Sequence, residues 1–204
     1  FRLIIDGEEM EVALARKERK IAQGHNGFAM LADGTVSVEE DLERRDTTMN
    51  AIAQDLLSNE VIDPFGGVEV IRAGIIRHVS DAFREDALRV LRVARQAAKF
   101  RFSVADETVE MCRSCKEELR TISAERVREE MLKALETERP SVFFRTLVAC
   151  DCLSVVFPEL DALRGQTQPI EHHPEGDAFE HTMEVVDRAA SLTADVKVRF
   201  AALC

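Results

Sequence analysis

The sequence predicts an α+β protein, mixed over residues 1–79 and all-helical over 80–150 and 151–204. Three observations carry this. Asp6-Gly7 sits between two short apolar runs, the signature of a β-hairpin. From Ser80 onward helix caps and three-four apolar spacing replace alternation. The clearest of the helices covers 84–100, where Leu88, Leu91, Ala94 and Ala98 form one stripe.

In chain order, Arg2–Ile5 and Met10–Leu14 read as the hairpin strands, and Gly27–Leu31 as a further short strand. Ser37 followed by Glu39, Glu40 and Asp41 marks a helix start. Residues 46–57 read as helix, with Met49, Ile52, Ala53 and Leu56 as the buried stripe. Asp63-Pro64-Phe65-Gly66-Gly67 is a turn that stops it. Residues 68–76 suit a short helix and 75–79 an extended exit. Further helices are predicted near 106–117, 123–137, 140–150, 178–192 and 194–203, the second opening at Ser123 and the third at Pro140. Gly165–Asp177 is rich in Gly, Pro and polar residues and reads as a linker or surface loop.

A length of 204 residues suffices for one or two domains with a core. The net charge of -11 argues against a non-specific polyanion binder, but leaves room for RNA on a local basic stripe. No apolar run approaches a membrane span. The chain opens at Phe1 without a Met, so it reads as a piece of a longer protein whose N-terminal targeting the sequence does not reveal. Five cysteines, an odd number, suggest reduced thiols and a cytoplasmic setting. Cys112-x-x-Cys115 and Cys150-x-Cys152 suit either a zinc site or small apolar residues on helices; no second C-x-x-C or His pair completes four ligands.

Two clusters carry chemistry. Asp86 and Arg89 lie one helical turn apart, as do Arg89, Arg92 and Arg95. A carboxylate at Asp86 accepts from the exocyclic amino group of cytosine or adenine, and a guanidinium at Arg89 donates to the ring nitrogen beside it. Uracil and guanine present the opposite order and set like against like. The same spacing also suits an ordinary surface salt bridge, and Arg92 and Arg95 suit either phosphates or a solvated helix face. The second cluster is Arg44-Arg45-Asp46-Thr47-Thr48-Met49-Asn50. Its arginines suit phosphates at a helix entrance, and Asp46 or Asn50 suits ribose hydroxyls.

In order along the chain, these residues resemble the bacterial class II tRNA nucleotidyltransferases, the CCA-adding enzymes, which share a sequence pattern with bacterial poly(A) polymerases. Arg44–Ala51 matches an R-R-D-x-x-x-N ribose and phosphate motif, and Asp63–Gly67 a D-x-F-G-G hinge turn. Glu85–Arg89 matches the E-D-x-x-R base reader, followed by Arg92 and Arg95, and Glu125-Arg126 the motif that buttresses it. The resemblance implies the last part of a polymerase-β-like head over 1–79, a nucleotide- and RNA-binding neck over 80–150 and a helical body over 151–204. It implies addition of C and A to tRNA 3′ ends from CTP and ATP with release of pyrophosphate. Two Mg²⁺ ions would be held by an Asp-x-Asp pair that this sequence lacks and that would lie before Phe1. Glu11 matches the position of a third carboxylate, though it equally suits a surface strand residue. The basic run 15–20 resembles a mobile loop of the family and equally suits a solvated turn.

Phe179-Glu180-His181-Thr182, preceded by His172 and His173, resembles the start of an HD phosphohydrolase domain. That resemblance implies His181 as the first ligand of a divalent transition metal, with a His-Asp doublet to follow Cys204. His172 and His173 suit a loop. The rival readings are a poly(A) polymerase, an HD phosphohydrolase and an inactive RNA-binding module. The sequence sets no oligomeric state.

Overall fold

The computed structural model describes residues 2–15, 17–20, 28–31, 35–168 and 175–204. The expected placement of His172 and His173 in a loop falls outside these residues.

β1 (Arg2–Ile5) and β2 (Glu8–Glu11) pair antiparallel, Ile5 opposite Glu8. Asp6 and Gly7 both take positive φ, the turn that matches strand twist. The two-residue turn starts β2 at Glu8, two residues before the apolar run that predicted it. β3 (Lys17–Lys20) pairs antiparallel with β4 (Phe28–Leu31). Of the basic run 15–20, expected as a loop or turn, residues 17–20 are thus a strand because Phe28–Leu31 supplies their backbone partners. α1 (Val38–Glu43) starts where expected: Ser37 Oγ accepts from Glu40 N at 3.2 Å, and Glu40 returns a carboxylate to Ser37 N.

Residues 46–57 are not the expected helix. Thr47 bridges to His78, and Thr48 N donates to Arg77 O at 2.9 Å, so only a 3-10 turn, Thr48–Asn50, forms. β5 (Ala53–Gln54) then pairs antiparallel with β6 (Val61–Ile62). Asp55 Oδ1 accepts from Leu57 N and Ser58 N, shaping the turn between them and leaving Leu56 exposed. The Asp63–Gly67 turn opens a helix rather than closing one. Asp63 takes the N–H groups of Gly67 and Val68 at 2.6 and 2.9 Å and starts α2 (Gly67–Ala73). A Cβ on Gly67 would lie 2.3 Å from Thr48 O and 2.7 Å from Ile52 Cγ1. Gly67→Ala is therefore expected to cost about 1–3 kcal/mol in urea unfolding, since backbone must yield.

β7 (Ile75–Ile76) runs parallel to β8 (Ser103–Val104), tying the mixed region to the helical one. The helix predicted over 84–100 is shorter. Asp81–Glu85 is a 3-10 turn capped by Ser80 Oγ, Asp86 is extended, and α3 is Leu88–Phe100. α4 (Asp106–Ser114), α5 (Ala124–Leu135) and α6 (Ser141–Ala149) follow near their predicted spans. α3 packs on α5 and α6. Its small Ala94, Ala97 and Ala98, all buried, let Phe143, Phe144 and Leu147 close against it. Cys112, Cys115, Cys150 and Cys152 lie buried in this core, and burial together with Cys150 pushes the Cys152 thiol up to about 12.

Two short helices escaped the periodicity, α7 (Leu153–Val156) and α8 (Pro158–Asp161). α9 (Ala178–Leu192) is capped by Asp177, and α10 (Val196–Ala201) by Asp195. Buried Arg199 staples them to the body, donating to Leu135 O, Thr137 O, Ala190 O and Thr193 O. Among the described residues no helix is long and apolar enough to cross a membrane.

Candidate functional site

Where the 44–50 segment meets the start of α3, a cavity of about 450 Å³ opens. Arg44, Arg45, Asp46 and Asn50 line one side; Asp86, Leu88, Arg89 and Arg92 line the other; Arg126 of α5 closes the end. Five arginines thus surround two carboxylates, an arrangement suited to a polyanionic ligand.

Asp46 is the hub and is buried. Its Oδ1 accepts from Thr47 N at 2.8 Å and Asn50 Nδ2 at 2.9 Å. Its Oδ2 accepts from Arg92 Nε at 2.7 Å and Gln96 Nε2 at 3.2 Å. Burial by itself pushes this carboxyl up. The Arg92 charge and the hydrogen bonds from Asn50, Arg92 and Thr47 outweigh that and hold it below its ordinary 3.8. With Thr47 Oγ1 also 3.4 Å from Oδ1, both oxygens are filled, so Asp46 orients Arg92 and Asn50, and the exposed Asn50 lines the ligand space beside Arg44 and Arg45. Asp46 and Asn50 meet through a 3-10 turn rather than along the helix expected over 46–57.

Asp86 does not stand on the helix with Arg89. It precedes α3, where its Oδ1 takes the Leu88 N–H at 3.0 Å and its Oδ2 takes Arg126 Nη2 at 2.9 Å. Arg89 is buried and spends Nη1 on Ala82 O and Nη2 on Arg44 O. The alternative reading of Asp86 and Arg89 as a surface salt bridge with each other is not what forms: Asp86 pairs with Arg126, while both motif residues line one cavity. Arg44 and Arg45 share Asp41 as anchor, Arg44 at 2.6 Å and Arg45 at 2.8 Å.

Three predicted site residues are not brought here. Arg95 pairs with buried Glu130 and lines a different groove. Glu11 lies exposed on β2 against Arg2 at 3.3 Å. His181, on α9, places Nδ1 against Glu175. Among the described residues, no three His, Cys, Asp or Glu side chains gather where a metal ion could be held. Conversely, the sequence reading missed Gln96. It is buried, donates to Asp46 and accepts from Thr47 Oγ1 at 3.0 Å. Its signal was a polar residue inside the apolar stripe of α3, four residues beyond Arg92.

The family model described as the poly(A) polymerase head domain matches residues 1–77. A second, described as a probable RNA and SrmB-binding site of polymerase A, matches residues 101–164. The chain belongs to the family of poly(A) polymerases and CCA-adding nucleotidyltransferases. A multifunctional CCA protein of Chromobacterium violaceum is 48% identical over 195 residues, which cover 95% of this chain and 48% of that protein. The CCA-adding enzyme of Bacillus stearothermophilus, solved in complex with CTP, is 36% identical, with a TM-score of 0.60 over 72% of this chain and 35% of that one. An apo form of a CCA-adding enzyme matches with a TM-score of 0.72 and 25% identity, over 99% of this chain and 46% of the other. The chain spans about half the length of the curated relative it matches. Within this family the fold is the expected one, a nucleotidyltransferase head joined to a helical neck and body.

Proposed function

We propose that this chain selects the nucleotide for template-independent addition of C and A to tRNA 3′ ends, from CTP and ATP with release of pyrophosphate. The observation that carries this reading is the convergence of Asp86 and Arg89 on one arginine-lined cavity, with Asp86 held at both oxygens. A fixed carboxylate meets the exocyclic amino group of C or A, and the Arg89 guanidinium donates to the neighbouring ring nitrogen. The triphosphate lies on Arg44, Arg45 and Arg92, and Asn50 takes a ribose hydroxyl. The relatives named for CCA addition and the structure solved with CTP support it.

Mg²⁺ is the ion proposed for the transfer step. Among the described residues no three His, Cys, Asp or Glu side chains, Glu11 included, gather into a site for it. His181 as a metal ligand of an HD site likewise requires partners beyond Glu175. The place of action proposed is the cytoplasm, where unpaired cysteines and tRNA are both at home.

The test is equilibrium binding of the four nucleoside triphosphates, followed by incorporation into tRNA lacking its 3′ end by the whole protein. CTP and ATP are expected to bind at least about tenfold tighter than UTP and GTP, one well-placed base contact's worth. Equal binding of all four overturns base selection. Incorporation of A alone replaces CCA addition with A addition.

A further inference from the structure

A second groove, of about 600 Å³, opens between the C-terminal ends of α3 and α5. Arg95, Lys99, Phe100 and Arg101 form one wall, and Lys133 stands on the other. Glu130 lies buried beneath and holds Arg95 and, at 3.7 Å, Lys133. Glu136 and Glu138 stand at the rim, where Glu138 meets Arg101 at 3.4 Å. Lys99 has no carboxylate partner among the described residues; its ammonium lies 5.2 Å from the ring centroid of Phe100, which is 39% exposed.

This groove and the nucleotide cavity are both lined by α3. Arg92, Arg95 and Lys99 follow one another at three and four residues, so they form one stripe along α3. It starts at the cavity wall and ends in the groove. From Arg92 to Lys99 the helix rises about 10 Å, close to three stacked nucleotides at about 3.4 Å each. On a chain of net charge -11, such a stripe offers phosphates a local path. An exposed aromatic ring beside cations is what single-stranded RNA uses for stacking.

We propose that this groove holds the single-stranded 3′ end of the RNA to be extended, its phosphates on Arg95, Lys99 and Lys133 and one base stacked on Phe100. The proposal rests on the nucleotide-addition reading and adds the path of the acceptor strand. It extends beyond residues 101–164, since most of the α3 wall precedes them.

The experiment is fluorescence anisotropy with a labelled RNA hairpin carrying a single-stranded 3′ extension, titrated at several salt concentrations, with a blunt hairpin alongside. Each variant's CTP binding is measured in parallel. Lys99→Gln with Lys133→Gln is expected to weaken binding of the extended hairpin about tenfold or more and to make the salt slope shallower by one to two units, at roughly 0.7 per lost phosphate. Phe100→Leu is expected to weaken binding about fivefold or more with an unchanged slope. CTP binding stays at the level of the unaltered chain in both, which also shows that they fold. Unchanged RNA affinity and slope in both variants overturns the proposal. So does an equal loss for the blunt hairpin, which assigns the groove to duplex RNA. Absence of CTP selectivity in the unaltered chain sinks the nucleotide reading instead, and leaves the groove to be judged by the RNA titrations.

Discussion

Asp46→Ala is expected to destabilise the chain by about 3 kcal/mol and to lose triphosphate binding with it. The carboxylate is buried and accepts hydrogen bonds from Thr47, Asn50, Arg92 and Gln96. Removing one partner of a buried pair leaves the others unsatisfied, a loss of about 3–5 kcal/mol. Arg92 is 37% exposed, so water recovers part of that and the lower end applies. Released from Asp46, Arg92 swings and Asn50 loses its anchor, so the phosphate and ribose contacts fail together. Asp46→Asn separates charge from shape, because the amide keeps the volume but sets a donor against Arg92 or Gln96.

The pH dependence has a definite sign. The folded carboxyl of Asp46 titrates below its ordinary 3.8, so folding favours the ionised form. Its contribution is full above the unfolded value of about 3.9 and disappears as the pH falls through the lower folded value. The stability difference between the native chain and Asp46→Asn, measured by urea unfolding, should therefore be constant from neutral pH down to about 5 and shrink below 4. A difference that grows on acidification would contradict the network.

Asp86→Asn should reduce the preference for CTP and ATP over UTP and GTP by about 10- to 100-fold, matching about 1–3 kcal/mol for one well-placed base contact. Triphosphate affinity should survive, since Arg44, Arg45 and Arg92 are anchored on Asp41 and Asp46 and not on Asp86. The amide presents a donor where the carboxylate presented only acceptors, which turns a repelled uracil or guanine carbonyl into a partner. Binding of the four triphosphates, with a thermal melt for each variant, checks this. Intact selectivity in a folded Asp86→Asn chain would rule out a side-chain template. Arg89→Ala is the poorer test. Its guanidinium also ties α3 to the carbonyls of Ala82 and Arg44, so loss of selectivity there would arrive with loss of stability.

The elements legible in the sequence were those specified by their own residues. Asp6-Gly7 supplies the positive φ of its turn, and Ser37 and Ser123 cap helices with partners three residues away. The segment 46–57 misled because Met49, Ile52, Ala53 and Leu56 have helical spacing, while the backbone of Thr47 and Thr48 finds its partners at His78 and Arg77. A periodicity count sees spacing and is blind to a backbone partner thirty residues away.

The site shows the same division. Motif order marked Arg44, Arg45, Asp46, Asn50, Asp86, Arg89 and Arg92, and all seven line one cavity. Their pairing was not legible. Asp86 meets Arg126 forty positions on, and Asp46 meets Arg92 and Gln96 across the joint between head and neck. Arg95, a turn beyond Arg92, leaves the cavity because Glu130 on α5 captures it.

The sequence by itself therefore determined the α+β class, the caps and turns, and the set of side chains that chemistry needs, because these depend on residue type and short spacing. Only the tertiary structure decided which carboxylate each arginine serves. That choice is made by α3, α5 and the 44–50 segment as they pack, and an ion pair's strength depends on distance and burial, not on separation along the chain.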